Sequence, residues 1–170
     1  MLLFFAYLCI MIQQEIDKSY LRQAIALADE NVRKKKGGPF AAIIVKDNQI
    51  IATGTNLVTA NNDPTAHAEV TAIRNACSRL GTFQLQGCTV YASCEPCPMC
   101  LGAIYWARPS RLVFAADKYQ ASSVGFDDSF IYKEIKLPIS ERSIETIHIL
   151  MPESNAPMDL WRLAENKKEY

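Results

Sequence analysis

Two short segments of this 170-residue chain, His67-Ala68-Glu69 and Pro96-Cys97-Pro98-Met99-Cys100, restrict the folds open to it more than any other feature. Each carries side chains suited to gripping a metal ion, and neither supplies enough of them alone. They make one site only in a fold that brings two helix starts together.

Local geometry says how. Asp63-Pro64-Thr65 reads as the start of the first helix, because Asp-Pro and Thr are frequent there. Pro98 suits the first helical position, which puts Cys97 at the N-cap and Cys100 on the third residue, with both sulfurs facing one point. The positive end of that helix favours thiolates, the form that binds metal. One nitrogen from His67 and two sulfurs from Cys97 and Cys100 make a zinc set with a fourth position left for water, as in catalytic rather than structural sites. Glu69 does not share a helical face with His67 except at such a start. Two thiolates already neutralise the zinc charge, so Glu69 is better used to carry protons than to bind the metal.

Taken singly, the histidine reads as a packed or solvated residue and the cysteine pair as a redox pair. Together, in this order and with these prolines, they match the zinc deaminase pattern H-x-E…P-C-x-x-C. Cys94 leaves an alternative open, since on the metal it would close the site as a structural Cys3His zinc. It precedes Glu95-Pro96 and is read as off the helix and off the metal.

Eighteen basic and eighteen acidic side chains cancel. No net field draws nucleic acid, which points to a small substrate. Clustered thiols without secretory features indicate metal in a reducing, cytoplasmic compartment rather than disulfides, with Cys77 and Cys88 read as core. Residues 1–12 are almost wholly apolar. They lack a basic lead and a cleavage site, and fall short of the roughly 20 residues that span a bilayer. Met11 is read as the native start, with an added packing or dimer segment as the alternative. The expected organisation is an apolar extension over 1–16 and one domain over 17–170.

Periodicity predicts helices over 17–36, 65–80, 98–108, 128–136 and 157–168. It predicts strands over 40–45 and 49–55, paired around an Asp47-Asn48 turn, and over 88–92, 111–115 and 144–150. Gly37-Gly38-Pro39 ends the first helix. The expected class is α/β, in three α/β/α layers around a mixed sheet of about five strands.

Beyond the zinc motif, four runs resemble the bacterial guanine deaminases of the cytidine deaminase-like superfamily. They are Asn62-Asp63-Pro64-Thr65-Ala66-His67-Ala68-Glu69-Val70, residues 93–109, Gly125-Phe126-Asp127-Asp128 with the following residues to 135, and Asn166-Lys167-Lys168-Glu169-Tyr170. The resemblance runs from about residue 18 to 170. It implies a hydrolase of cyclic-amidine C–N bonds that turns guanine into xanthine and ammonia. It further implies one Zn2+ per chain on His67, Cys97 and Cys100, Glu69 as proton shuttle and Asp128 as a second acid. Asn56 would bind the purine and Phe40 line the pocket. Tyr170 would reach the base from a lid segment at about 157–170, exchanged within a homodimer.

On their own residues, Asp128 also suits a helix cap, and Phe40 suits core packing equally well. Trp106 reads as core, and His148 as an ordinary strand residue. Guanosine, cytosine, ammeline and transfer RNA adenosine remain alternative substrates, and a non-enzymatic zinc module an alternative role.

Overall fold

The computed structural model describes residues 2–169, with side chains described from Phe4 onward. The chain divides into two compact units, Met1–Asp128 and Ser129–Tyr170.

The first unit opens with helix α1 (Leu2–Arg33), then a hairpin of β1 (Ala41–Lys46) and β2 (Gln49–Thr55). Asp47 and Asn48 both take positive φ, 49° and 58°, the conformation that lets a two-residue turn follow the twist of its strands. A short helix α2 (Val58–Asn61) leads to α3 (Ala68–Leu80), β3 (Cys88–Cys94), α4 (Pro98–Ala107), β4 (Arg111–Ala116) and α5 (Lys118–Ser122). The sheet order is β2-β1-β3-β4; β1 is antiparallel to both neighbours, and β3 runs parallel to β4. A parallel pair needs a crossover, which α4 supplies.

Alternation along β1 builds two cores. Ala42 and Ile44 pack with Val90 and with Ala68, Ala72, Ala76 and Ile104 of α3 and α4. Ile43 and Val45 pack with Tyr91 and with Ala24 of α1 on the opposite face. The α/β class, the mixed sheet and the three layers are therefore as expected. Gly54 sets the approach of α3, because a Cβ there would overlap the Ala68 carbonyl and the Ala72 amide. Asp17 clasps α1 to the sheet, accepting from Arg111 Nη2 at 2.7 Å and from the Tyr91 hydroxyl at 2.7 Å.

Several expected boundaries move. Helix α1 begins at Leu2 rather than 17, because residues 2–16 contain no glycine or proline to stop it. Among the described residues no helix is long and apolar enough to cross a membrane. On α1, Ala24, Ala28 and Asn31 are buried, whereas Ile25 and Val32 are half exposed. Helix α3 begins at Ala68, not 65, because the Asp63 carboxylate accepts from both the amide and the hydroxyl of Thr65 and holds a turn there.

The second unit contains α6 (Ser129–Lys136), a 3-10 turn at Ile139–Glu141 and α7 (Ala156–Leu163). Residues 144–150 form no strand, which leaves four strands among the described residues rather than about five. Apolar alternation makes a strand only where a neighbour supplies ladder bonds, and the described part of this unit contains no strand to pair with.

Candidate metal centre

The centre lies where the N-termini of α3 and α4 meet. His67 is the N-cap of α3 and Cys97 the N-cap of α4; both have extended backbones, and neither side chain is used for capping. Imidazole and thiol are thus free to point into the gap between the helices. Pro98 occupies the first turn as expected, so Cys100 comes round onto the face shared with Cys97.

His67 Nδ1 lies 3.5 Å from Cys97 Sγ and 3.5 Å from Cys100 Sγ. The three ligand atoms all fall within 4.8 Å of one another. A tetrahedral zinc with Zn–S of about 2.3 Å and Zn–N of about 2.0–2.1 Å holds its nitrogen and sulfur ligands about 3.5 Å apart. The triplet therefore fits zinc in both ligand type and spacing. Among the described residues no other His, Cys, Asp or Glu group converges in this way.

The acid–base state of the triplet follows from its contacts. The Cys97 thiol is drawn down to about 4 by the hydrogen bond from Cys100, with His67 assisting against burial. Cys100, fully buried, is pushed up by the same bond and by burial. The pair therefore favours charge on Cys97, and a divalent cation held there would displace the proton they share. The hydrogen bond to Cys97 also raises the His67 imidazole, against the effect of burial.

Glu69 follows His67 by two residues at the start of α3 and is only 7% exposed. Burial raises its carboxyl above the usual range, partly opposed by hydrogen bonds from its own backbone and from Cys100. A carboxyl raised in this way holds a proton more readily than an exposed one, which suits a group that must both take and give one. Asp128, half-buried, is raised by burial and then by the negative charge of Cys97. Cys94 stands outside the triplet. Its thiol donates to the Asp117 carbonyl at 3.6 Å, and burial pushes it up to about 11. Geometry rather than protonation sets it apart, since its sulfur is turned to Asp117 while His67, Cys97 and Cys100 converge.

Asn56 is buried. Its Oδ1 accepts from the amides of Gly38 and Val58, both at 3.3 Å, while Nδ2 has no partner among the described residues. Phe40 packs on the core shared by α3 and the sheet and meets Phe126 edge-to-face, with ring centroids 4.8 Å apart. Core packing, one of its two expected roles, is met. Tyr170 lies outside the described residues. Trp106 is not core: it is 62% exposed. His148 is exposed on a segment that forms no strand.

Two supporting residues were not singled out from sequence. Ser93 Oγ accepts from the Ala41 amide at 3.0 Å, and the Glu95 carboxylate accepts from the Lys118 amide at 3.1 Å. Glu95 sits inside the cysteine motif, which was its only sequence signal.

The family model described as the cytidine and deoxycytidylate deaminase zinc-binding region matches residues 14–116. The guanine deaminase of Bacillus subtilis (strain 168) is 57% identical over 153 residues, covering 90% of this chain and 98% of that protein. The X-ray structure of guanine deaminase from Bacillus subtilis superposes with a TM-score of 0.89 over the same shares, 90% and 98%, at 57% identity. A guanine deaminase structure from Nitrosomonas europaea gives a TM-score of 0.60 at 34% identity, covering 64% of this chain and 63% of that one. The tRNA-specific adenosine deaminase of Haemophilus influenzae is 39% identical over 123 residues, 69% of this chain and 70% of that protein. Carrying the family's zinc-binding region on a matching fold, the chain belongs to the cytidine and deoxycytidylate deaminase family, alongside the guanine deaminase of Bacillus subtilis.

Proposed function

We propose that this chain is a zinc-dependent hydrolase of cyclic-amidine C–N bonds that deaminates guanine to xanthine and ammonia. The observation that carries the reading is the His67–Cys97–Cys100 triplet with a buried, proton-poised Glu69 at the same helix start. Similarity to guanine deaminase over 90% of the chain supports guanine as the base, against 69% for the transfer RNA enzyme.

His67 Nδ1 and the two sulfurs would hold one Zn2+. Zinc bound there supplies the Lewis acidity that makes water acidic enough to react at neutral pH. Glu69 takes a proton from the attacking water as its oxygen adds to C2 of guanine, and passes that proton to ring N3. The proton of the hydroxyl now on C2 then goes through Glu69 to the amine as the C2–N bond breaks and the C2 carbonyl forms, while Asp128 steadies the ammonia as it leaves. Water and guanine in, xanthine and ammonia out, balance the exchange. Asn56 Nδ2 donates to the purine, and Phe40, braced by Phe126, walls the base.

Residues 17–170 are the deaminase domain and 1–16 an apolar N-terminal extension whose described residues belong to α1; a family match over residues 14–116 supports a domain start near that point. The cytoplasm is the proposed compartment, in keeping with six cysteines that are all free. The active form is a homodimer whose segment from about 157 to 170 is exchanged as a lid, Tyr170 reaching the partner's base. In support, Ile144, Ile149, Leu150, Leu160 and Leu163 are each at least 70% exposed, an apolar surface that burial in a dimer would remove from water. Deleting 166–170 should leave zinc content and circular dichroism unchanged while lowering guanine turnover. Unchanged turnover removes the lid.

The substrate test is ammonia release by the zinc-loaded protein from guanine, guanosine, adenine, cytosine and ammeline. Guanine should exceed each of the others in kcat/KM. Preference for any other base overturns the assignment.

A further inference from the structure

The polar residue that the site leaves unexplained is Asn31, on α1, 97% removed from solvent amid the alanines that face the sheet. Its Nδ2 donates to two carbonyls, Gly38 and Asn56, each at 2.9 Å. Both neighbours being acceptors, the amine end must face them and the oxygen end must face away. That oxygen, Asn31 Oδ1, is buried with no protein donor. A buried acceptor left in that state is costly. The residue's contribution therefore lies in the two bonds made by its amine.

Those two bonds close a frame around Asn56. The Asn56 amide donates to the Phe40 carbonyl at 3.0 Å, and its carbonyl is held by Asn31. Its Oδ1 accepts from the amide of Gly38, whose own carbonyl is the other anchor of Asn31. Both groups that face Oδ1 are backbone N–H donors, so the side-chain amide cannot flip. The frame needs a backbone without side chains. A Cβ on Gly37 would overlap the Asn56 carbonyl, and one on Gly38 would press on Phe126 Cζ at 3.3 Å.

We propose that Asn31 is a positioning residue for purine recognition: by bridging the Gly38 and Asn56 carbonyls it fixes the Asn56 amide with Nδ2 presented to the base. The inference rests on Asn56 binding the purine, as proposed above. Asn31 touches neither base nor metal, and acts only through Asn56.

A double-mutant cycle tests it, read as KM for guanine and Kd for xanthine on zinc-loaded protein. Asn31→Leu keeps the volume but leaves both carbonyls unpaired. KM and Kd should each rise roughly tenfold, as loss of one well-placed hydrogen bond to the base does. Zinc content and kcat should stay within about twofold to threefold, since uniform binding is what is lost. In an Asn56→Ala background the same substitution should change Kd by less than about twofold. Multiplying effects overturn the proposal, because Asn31 then acts elsewhere. If Asn31→Leu does not fold, Asn31→Ser, which keeps one donor, carries the same cycle and is read in the same way. Asn56→Ala alone separates the two ideas. Unchanged xanthine affinity in that variant removes Asn56 as the base reader, whereas weakened affinity with multiplying effects removes only Asn31.

Discussion

Replacing Glu69 by glutamine should separate chemistry from structure at this site. The carboxyl is 7% exposed, and burial raises it above the usual carboxylate range. The folded protein therefore bears a cost for any charge held there. Glutamine has the same shape and no charge, so thermal stability should stay equal or rise. Glu69 lies outside the ligand triplet, so zinc content should stay at one per chain. Proton transfer, however, is lost at every step that uses this group. A single general acid–base contribution is about 10²–10⁴-fold, or about 2.7–5.4 kcal/mol of barrier. Two transfers run through one carboxyl here, so kcat should fall by at least that range. The assay pairs xanthine formation with zinc content and melting temperature on one preparation. A zinc-loaded Glu69→Gln protein with kcat within tenfold of the parent would refute the proton-carrier role. Loss of stability together with activity would show that the residue is structural.

Cys97→Ala should abolish stoichiometric zinc, whereas Cys94→Ala should retain zinc and fold; metal loss in the latter would put Cys94 on the ion. Asp128→Asn should slow turnover by about tenfold to a hundredfold with zinc unchanged, because a second acid is removed while Glu69 remains. Gly54→Ala forces α3 away from β2 and should cost about 1–3 kcal/mol by urea unfolding, with weaker zinc retention. Burial and the bond to Asp17 raise the Tyr91 hydroxyl to about 12 from 10.0. A raised folded value means stability intact below pH 10 and lost as pH climbs toward 12. Unfolding measured at pH 9 and pH 11.5 should show that loss, and Tyr91→Phe should lessen it; an equal loss in both proteins would place its origin elsewhere.

The centre was legible because its geometry is local. Pro98 fixes the first turn of α4, and that alone orients Cys97 and Cys100, while His67 needs only a helix start. What escaped depends on neighbours that sequence does not name. Residues 144–150 alternate like a strand, but alternation cannot supply the second strand that a ladder requires. Helix α4, from Pro98 to Ala107, is apolar on every side, so periodicity could not tell that Trp106 faces outward. The stop before 17 failed for a related reason: an apolar run without glycine or proline continues whatever helix follows it. Asn31 did carry a signal, as a polar residue on the stripe with Ala24 and Ala28. A polar group on a buried face demands partners, and which partners only the fold reveals.

The central claim is that zinc on this triplet and guanine deamination stand or fall together. Purified protein should be assayed for zinc and for xanthine formation from guanine before chelation, after it, and after restoring one equivalent of Zn2+. About one zinc per chain is expected at the start, with loss of turnover when the metal is removed and recovery of both together. Xanthine formation that persists in metal-free protein, or a protein that regains zinc and leaves guanine untouched, would contradict the claim.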